Sequence, residues 1–237
     1  MYTGSYSASI KMSGITILSA LAMIMACVTL LILPIVMALK FNCKRKKLII
    51  LLHIALFFVI GPLNGIISFI LITLDKSKSG FYEKNNISGV SSFHVILYVL
   101  NILVLFFPIA KVKNFSNYDI DGLTKFNLSF FIGKKSESIN NLLNQNDYKL
   151  VMIMIWVMLG IMILGFILNL IFRNARKLMG INALFQAIIS VITFIFAKSL
   201  NNGIIFPGTA LLLEACITII FVISLYIIIS IPVNIDN

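Results

Sequence analysis

Acidic side chains are scarce in this chain: eight Asp and Glu stand against nineteen Lys and Arg among 237 residues, and all charged residues together make up 11%. A soluble domain carries about 25% charged residues, so the shortage excludes a surface built for water. The acids are also badly placed for chemistry, because no apolar run contains an Asp and only one contains a Glu, Glu214. A carboxylate dyad inside the membrane is therefore excluded within one chain. Histidine is rarer still, with His53 and His94 in different runs, and there is no His-Glu-x-x-His, Gly-rich phosphate loop or Gly-x-Ser-x-Gly elbow. These absences argue against an enzyme and leave no expected cofactor or metal.

Cysteine is equally sparse. Two of the three, Cys27 and Cys216, fall inside apolar runs, so neither a disulfide framework nor metal-ligand spacing can be built. Met25 stands two positions before Cys27 and apolar residues continue after it, unlike a lipoprotein signal, so a retained first helix is expected. Cys43 adjoins "KRKK", a placement that suits either a plain thiol or S-palmitoylation. In "NYDIDG", Asn117, Asp119 and Asp121 resemble the opening of a calcium loop, but Leu128 stands where the closing Glu belongs, so an Asp-Gly turn is the expectation.

What the chain has in abundance is apolar residues, 60% of the total, with a mean hydropathy of +1.05. They fall into six runs: Ile15–Leu39, Leu48–Leu74, Phe93–Ala110, Leu150–Phe172, Ile181–Ala197 and Ile204–Pro232. Crossing the hydrocarbon core takes about 17 to 25 residues of helix, and the runs lack the alternation of barrel strands. The expected fold is all-α, a polytopic transmembrane bundle of six spans, with five as the alternative. The fifth run, interrupted by Asn182 and Gln186, is the weakest and fits an interfacial or re-entrant segment as well. The chain divides into a tail (1–14), a first membrane region (15–110), a polar cytoplasmic loop (111–149), a second membrane region (150–232) and a tail (233–237). In the loop, Ile139, Leu142 and Leu143 share one helical face, which suits a short helix on the membrane surface. Two hairpins ending "DKSKSG" and "AKSLNNG" hint at an inverted three-plus-three duplication.

The net charge of +11 sits mainly in short clusters beside apolar runs. That arrangement points to anionic lipid head groups and away from nucleic acid. Lys40, Lys44, Arg45, Lys46 and Lys47 form the densest cluster, and loops rich in Lys and Arg stay on the cytoplasmic side. Six spans then place Asp75–Ser92 and "RNARK" outside, whereas a re-entrant third run would bring "KRKK" and "RNARK" to the same side. Frequent Ile, Lys, Asn and Phe suggest an AT-rich genome, and the cell membrane is the expected location.

Polar residues within the runs are the candidate site. Glu214 lies two turns into the last run at a depth where His53 or Lys198 is the expected partner, and an intramembrane acid is a functional-site hypothesis by default. Amide pairs Asn64–Asn101 and Asn169–Gln186 are expected between helices. In "GPLNG", Gly61 and Gly65 are spaced for close helix approach, as are Ala22 and Ala26, while Pro62 invites a kink. The leading expectation is a non-catalytic membrane subunit or scaffold with membrane lipids and a membrane protein as partners. The alternative is a small transporter or solute-binding component using Glu214 and His53.

Overall fold

The computed structural model describes residues 14–41, 43–75, 87–112, 125–126, 145–172, 175–200 and 205–230. Both tails, most of the polar loop, the expected surface helix near 139–143 and the Asp-Gly turn at 121–122 lie outside them. The apolar runs form α1 (Gly14–Lys40), α2 (Lys46–Ile60), a 3-10 turn (Gly61–Leu63), α3 (Asn64–Leu74), α4 (Ile87–Val104), α5 (Gln145–Ile171), α6 (Ala175–Ser199) and α7 (Thr209–Ser230). Three short strands, β1 (Ala110–Val112), β2 (Lys125–Phe126) and β3 (Ile205–Pro207), add a small antiparallel patch in the order β2-β1-β3. Gly208 continues this patch by donating its N–H to Ile109 O at 2.7 Å. A Cβ at Gly208 would collide with Pro108 O, so glycine is required where the chain turns from β3 into α7.

By length and composition, five segments can cross a membrane: Gly14–Lys40, Lys46–Leu74, Ile153–Ile171, Lys177–Ser199 and Thr209–Ser230, with Ser92–Val104 a shorter apolar helix. Geometry separates the second from the others. The backbone N–H of Arg45 donates to Asp75 Oδ2 at 3.3 Å, so the two ends of the Lys46–Leu74 segment meet. Gly61 supplies the reversal with φ +58° and ψ −139°, a region only glycine enters readily. Its N–H still closes α2 on Phe57 O, and Pro62 cannot donate to continue the helix. Helices α2 and α3 are therefore the two limbs of a re-entrant hairpin. Irregular backbone is tolerated at membrane depth only where protein satisfies it. Here Asn64 N–H bonds Gly61 O and Pro62 O, and Asn64 Nδ2 donates to His53 O at 2.6 Å.

The remaining helices, α1 and α4 to α7, run from face to face. Thr16 Oγ donates to Ala197 O at 3.1 Å, which sets the start of α1 against the end of α6. His94 of α4 meets both Asn182 of α6 and Ser224 of α7, so α4 and α6 point one way and α5 and α7 the other. Helix α4, at 18 residues, is about 27 Å long, close to the roughly 30 Å of the hydrocarbon core.

The expected transmembrane helix bundle is thus present, and of the two counts the five-crossing one fits the geometry. The second run turns back rather than the third, because Gly61-Pro62 breaks its helix while α4 is unbroken. The expectation that the loop beginning at Asp75 lies across the membrane from Lys44–Lys47 is corrected at Asp75, which contacts Arg45. An inverted three-plus-three repeat is excluded as well, because the second run folds back where the fifth crosses. The fifth run is the most enclosed helix and not a peripheral one: α6 packs against both α1 and α7, and its polar residues face inward.

Small residues let these helices close up. Ala22 and Ala26 are buried on α1, which packs on α6, α7 and the hairpin. Gly65 lies against Leu30 O, where any Cβ would clash. Pro34 of α1 lacks the N–H that would have bonded Leu30 O, so the carbonyl that α1 leaves free is covered by the backbone of the hairpin. Gly61 has open space around it, so its role is conformational and the expected packing pair reduces to Gly65 alone. The bundle's exterior is apolar, with Phe58, Leu51, Ile54, Ile153, Trp156 and Ile227 among the exposed side chains, while polar residues are inside. That inversion of a water-soluble fold is what a bilayer selects.

Candidate functional site

Besides the buried His53, Asn64 and Ser68 of the hairpin, two polar clusters lie between the crossing helices among the described residues. The first is built on helical spacing: His94, Tyr98 and Asn101 fall at i, i+4 and i+7 on α4, and Asn182 and Gln186 at i, i+4 on α6. Asn182 uses its full hydrogen-bonding capacity. Its Nδ2 donates to His94 Nδ1 (3.0 Å) and Asn169 Oδ1 (3.1 Å), and its Oδ1 accepts from Asn169 Nδ2 (2.8 Å) and Tyr98 OH (3.1 Å). Because His94 Nδ1 accepts, Nε2 carries the hydrogen and donates to Ser224 Oγ at 3.0 Å, whose hydroxyl donates to Phe221 O. The Phe221 ring stacks on His94 with centroids 4.6 Å apart and meets Tyr98 edge-on at 5.2 Å. Gly165 makes room for Tyr98, since a Cβ there would overlap the phenol ring. Four helices are joined in this way, and the network is satisfied as it stands.

The second cluster is not satisfied. Toward the face where α7 begins, buried side-chain atoms of three residues lack hydrogen-bond partners among the described residues: Asn101 Nδ2 and Oδ1, Gln186 Nε2, and both carboxylate oxygens of Glu214. Gln186 Oε1 accepts from Thr218 Oγ at 3.4 Å, and Glu214 is one turn from Thr218 on the same face of α7. Tyr98 and Phe221 are in contact on antiparallel helices. Asn101 and Thr218, each three residues from them toward that face, therefore lie at a common level about 4.5 Å away. Glu214 is fully buried, about 7.5 Å along the axis from Thr209.

Several expected partnerships are corrected. Glu214 meets neither His53 nor Lys198. His53 sits toward the opposite face, at the level of Leu31, because the hairpin enters from there, and Lys198 is exposed. His53 is fully occupied: Nε2–H donates to Leu31 O at 2.7 Å and Nδ1 pairs with Ser68 Oγ at 2.7 Å. Asn64 bonds His53 O and not Asn101, since the fold-back carries it away from α4. Asn169 pairs with Asn182, one turn short of Gln186. Cys43 is buried, which removes it as an acylation site. Lys40, Lys44, Arg45 and Lys47 are exposed and Lys46 half-buried, at the end of the molecule where α1 ends and the hairpin opens.

Sequence reasoning did not assign Tyr98, Thr218 or Ser224 to a site, and read Asn182 only as a weakness of its run. For Tyr98, Asn182 and Thr218 the signal was the four-residue spacing from His94, Gln186 and Glu214, which becomes informative once the helices are known to face one another; Ser224 carried no such spacing.

The fold and its interior define a polytopic α-helical membrane protein with an enclosed polar core. No protein-family model, curated protein or solved structure matches the chain.

Proposed function

We propose that the protein is a small membrane transport component that holds a proton or an alkali-metal-sized cation at Glu214. The observation that carries this reading is the burial of the Glu214 carboxylate with both oxygens unpartnered among the described residues, on the same half of the bundle as the unpartnered Asn101 amide and Gln186 Nε2. An isolated carboxylate away from water is costly, and it is accommodated by a proton or by a counter-cation. Oxygen ligands are what small hard cations prefer, and Glu214 with the Asn101 carbonyl oxygen would supply them, neither having a partner among the described residues. A scaffold needs no such group: a carboxylate near the interface, reaching water or Lys198, would have served that role, and Glu214 points inward instead.

The test is a comparison of the protein with Glu214→Gln in proteoliposomes and in detergent. Cation flux along an imposed gradient and the thermal midpoint at rising sodium or potassium, with choline as control, are expected to respond in the original protein and not in the variant. Variation of pH at constant salt separates proton from metal ion. If Glu214→Gln retains flux and midpoint response, the reading fails; if neither protein shows any, the scaffold role replaces it.

A further inference from the structure

The open end of the α2–α3 hairpin holds a second feature, unrelated to Glu214. There the limbs, joined at their ends by the Arg45–Asp75 contact, flank a cavity of about 510 Å³ walled by Leu48, Ile49 and Leu52 of α2 and Leu71 and Leu74 of α3. Lys44, Arg45 and Asp75 stand at its mouth. The His53–Ser68 hydrogen bond ties the limbs together deeper in the hairpin. From Lys46, where α2 begins, to that tie at His53 is seven residues, about 10 Å of helix. The chemistry changes once along this depth, from two cations at the membrane surface to aliphatic side chains below.

We infer that this cleft is a binding site for one anionic glycerophospholipid, its phosphate between Lys44 and Arg45 and the upper part of one acyl chain between the limbs. Charge and depth together select this occupant. A free phosphate would leave the leucine walls uncovered, and a peptide segment or a second copy of the chain would have no use for two exposed cations at the mouth. Asp75 accepts from the Arg45 backbone N–H, so the anion's seat is set by the side chains of Lys44 and Arg45 and not by that amide. Neighbouring Lys40, Lys46 and Lys47 add to the attraction for an anionic surface.

The experiment is native mass spectrometry of the full chain from bilayers mixing phosphatidylglycerol with phosphatidylcholine. One phosphatidylglycerol per chain should be retained in preference to phosphatidylcholine. Lys44→Gln and Arg45→Gln should each weaken retention about fivefold. Leu71→Trp, which fills the cleft and leaves the charges, should weaken it as much, with Lys198→Gln at the other face unchanged. Retained secondary structure and an unchanged thermal midpoint without lipid show that the variants fold. Equal retention of the two lipids, equal loss with Lys198→Gln, or full retention by a folded Leu71→Trp would overturn the proposal. So would inorganic phosphate alone displacing the lipid, since the acyl chain would then contribute nothing.

Discussion

At Gly61 and Gly65 the same residue type serves two physical ends, and substitution separates them. Gly61 has space for a Cβ but sits at φ +58°, so Gly61→Ala should cost about 1 to 3 kcal/mol through backbone strain. Gly65→Ala keeps an ordinary backbone but drives a methyl into Leu30 O, an overpacking cost of about 1 to 3 kcal/mol that Gly65→Leu should exceed. Unfolding midpoints in detergent check both, and an unchanged midpoint for Gly65→Leu would mean that the hairpin does not dock on α1. The amides divide in a similar way. Asn182 makes four hydrogen bonds at about 0.6 kcal/mol each, so Asn182→Leu should lose about 2 kcal/mol. Asn101→Leu breaks none among the described residues. It should leave the cation-free protein as stable or more so, while weakening the cation response assigned to Glu214. A destabilised Asn101→Leu would show that this amide is structural.

The hairpin is the element on which topology depends. In a protein whose Cys27, Cys43 and Cys216 are replaced by alanine, single cysteines at Lys47 and Asp75 should react with a membrane-impermeant thiol reagent from one side, and a cysteine at Lys198 from the other. Labelling of Asp75 together with Lys198 would restore a crossing second segment. The length of the run could not distinguish these outcomes. Residues 48–74 are long enough to span, and the break depends on one dihedral at Gly61 followed by a proline. "GPLNG" was legible as a kink. The conversion of a kink into a reversal required α1 to offer Leu30 O to Gly65 and Leu31 O to His53, a surface that exists only once the helices are packed.

For the whole molecule, turning the second run back brings the basic clusters to one face. Connections that leave and re-enter at the hairpin's open end contain eleven Lys and Arg, including "KRKK" and "RNARK", against eight at the other face. That end should therefore be cytoplasmic. The side from which a cysteine at Lys47 labels in intact cells decides it, and labelling from outside would reverse the orientation. What the sequence by itself determined was the solvent: an apolar, acid-poor chain in long runs belongs in a bilayer, and in lipid the backbone must close its own hydrogen bonds as helices. The sequence also marked the residues too polar for their surroundings, with Glu214 foremost. Only the tertiary structure decided who faces whom. Depth along a helix can be estimated from residue counts, but the estimate inherits the direction of every preceding segment, so one misread crossing placed His53 beside Glu214 when they lie toward opposite faces. Hydrogen bonds act over about 3 Å, and a partner at that range is selected by helix packing, which no single run of residues specifies.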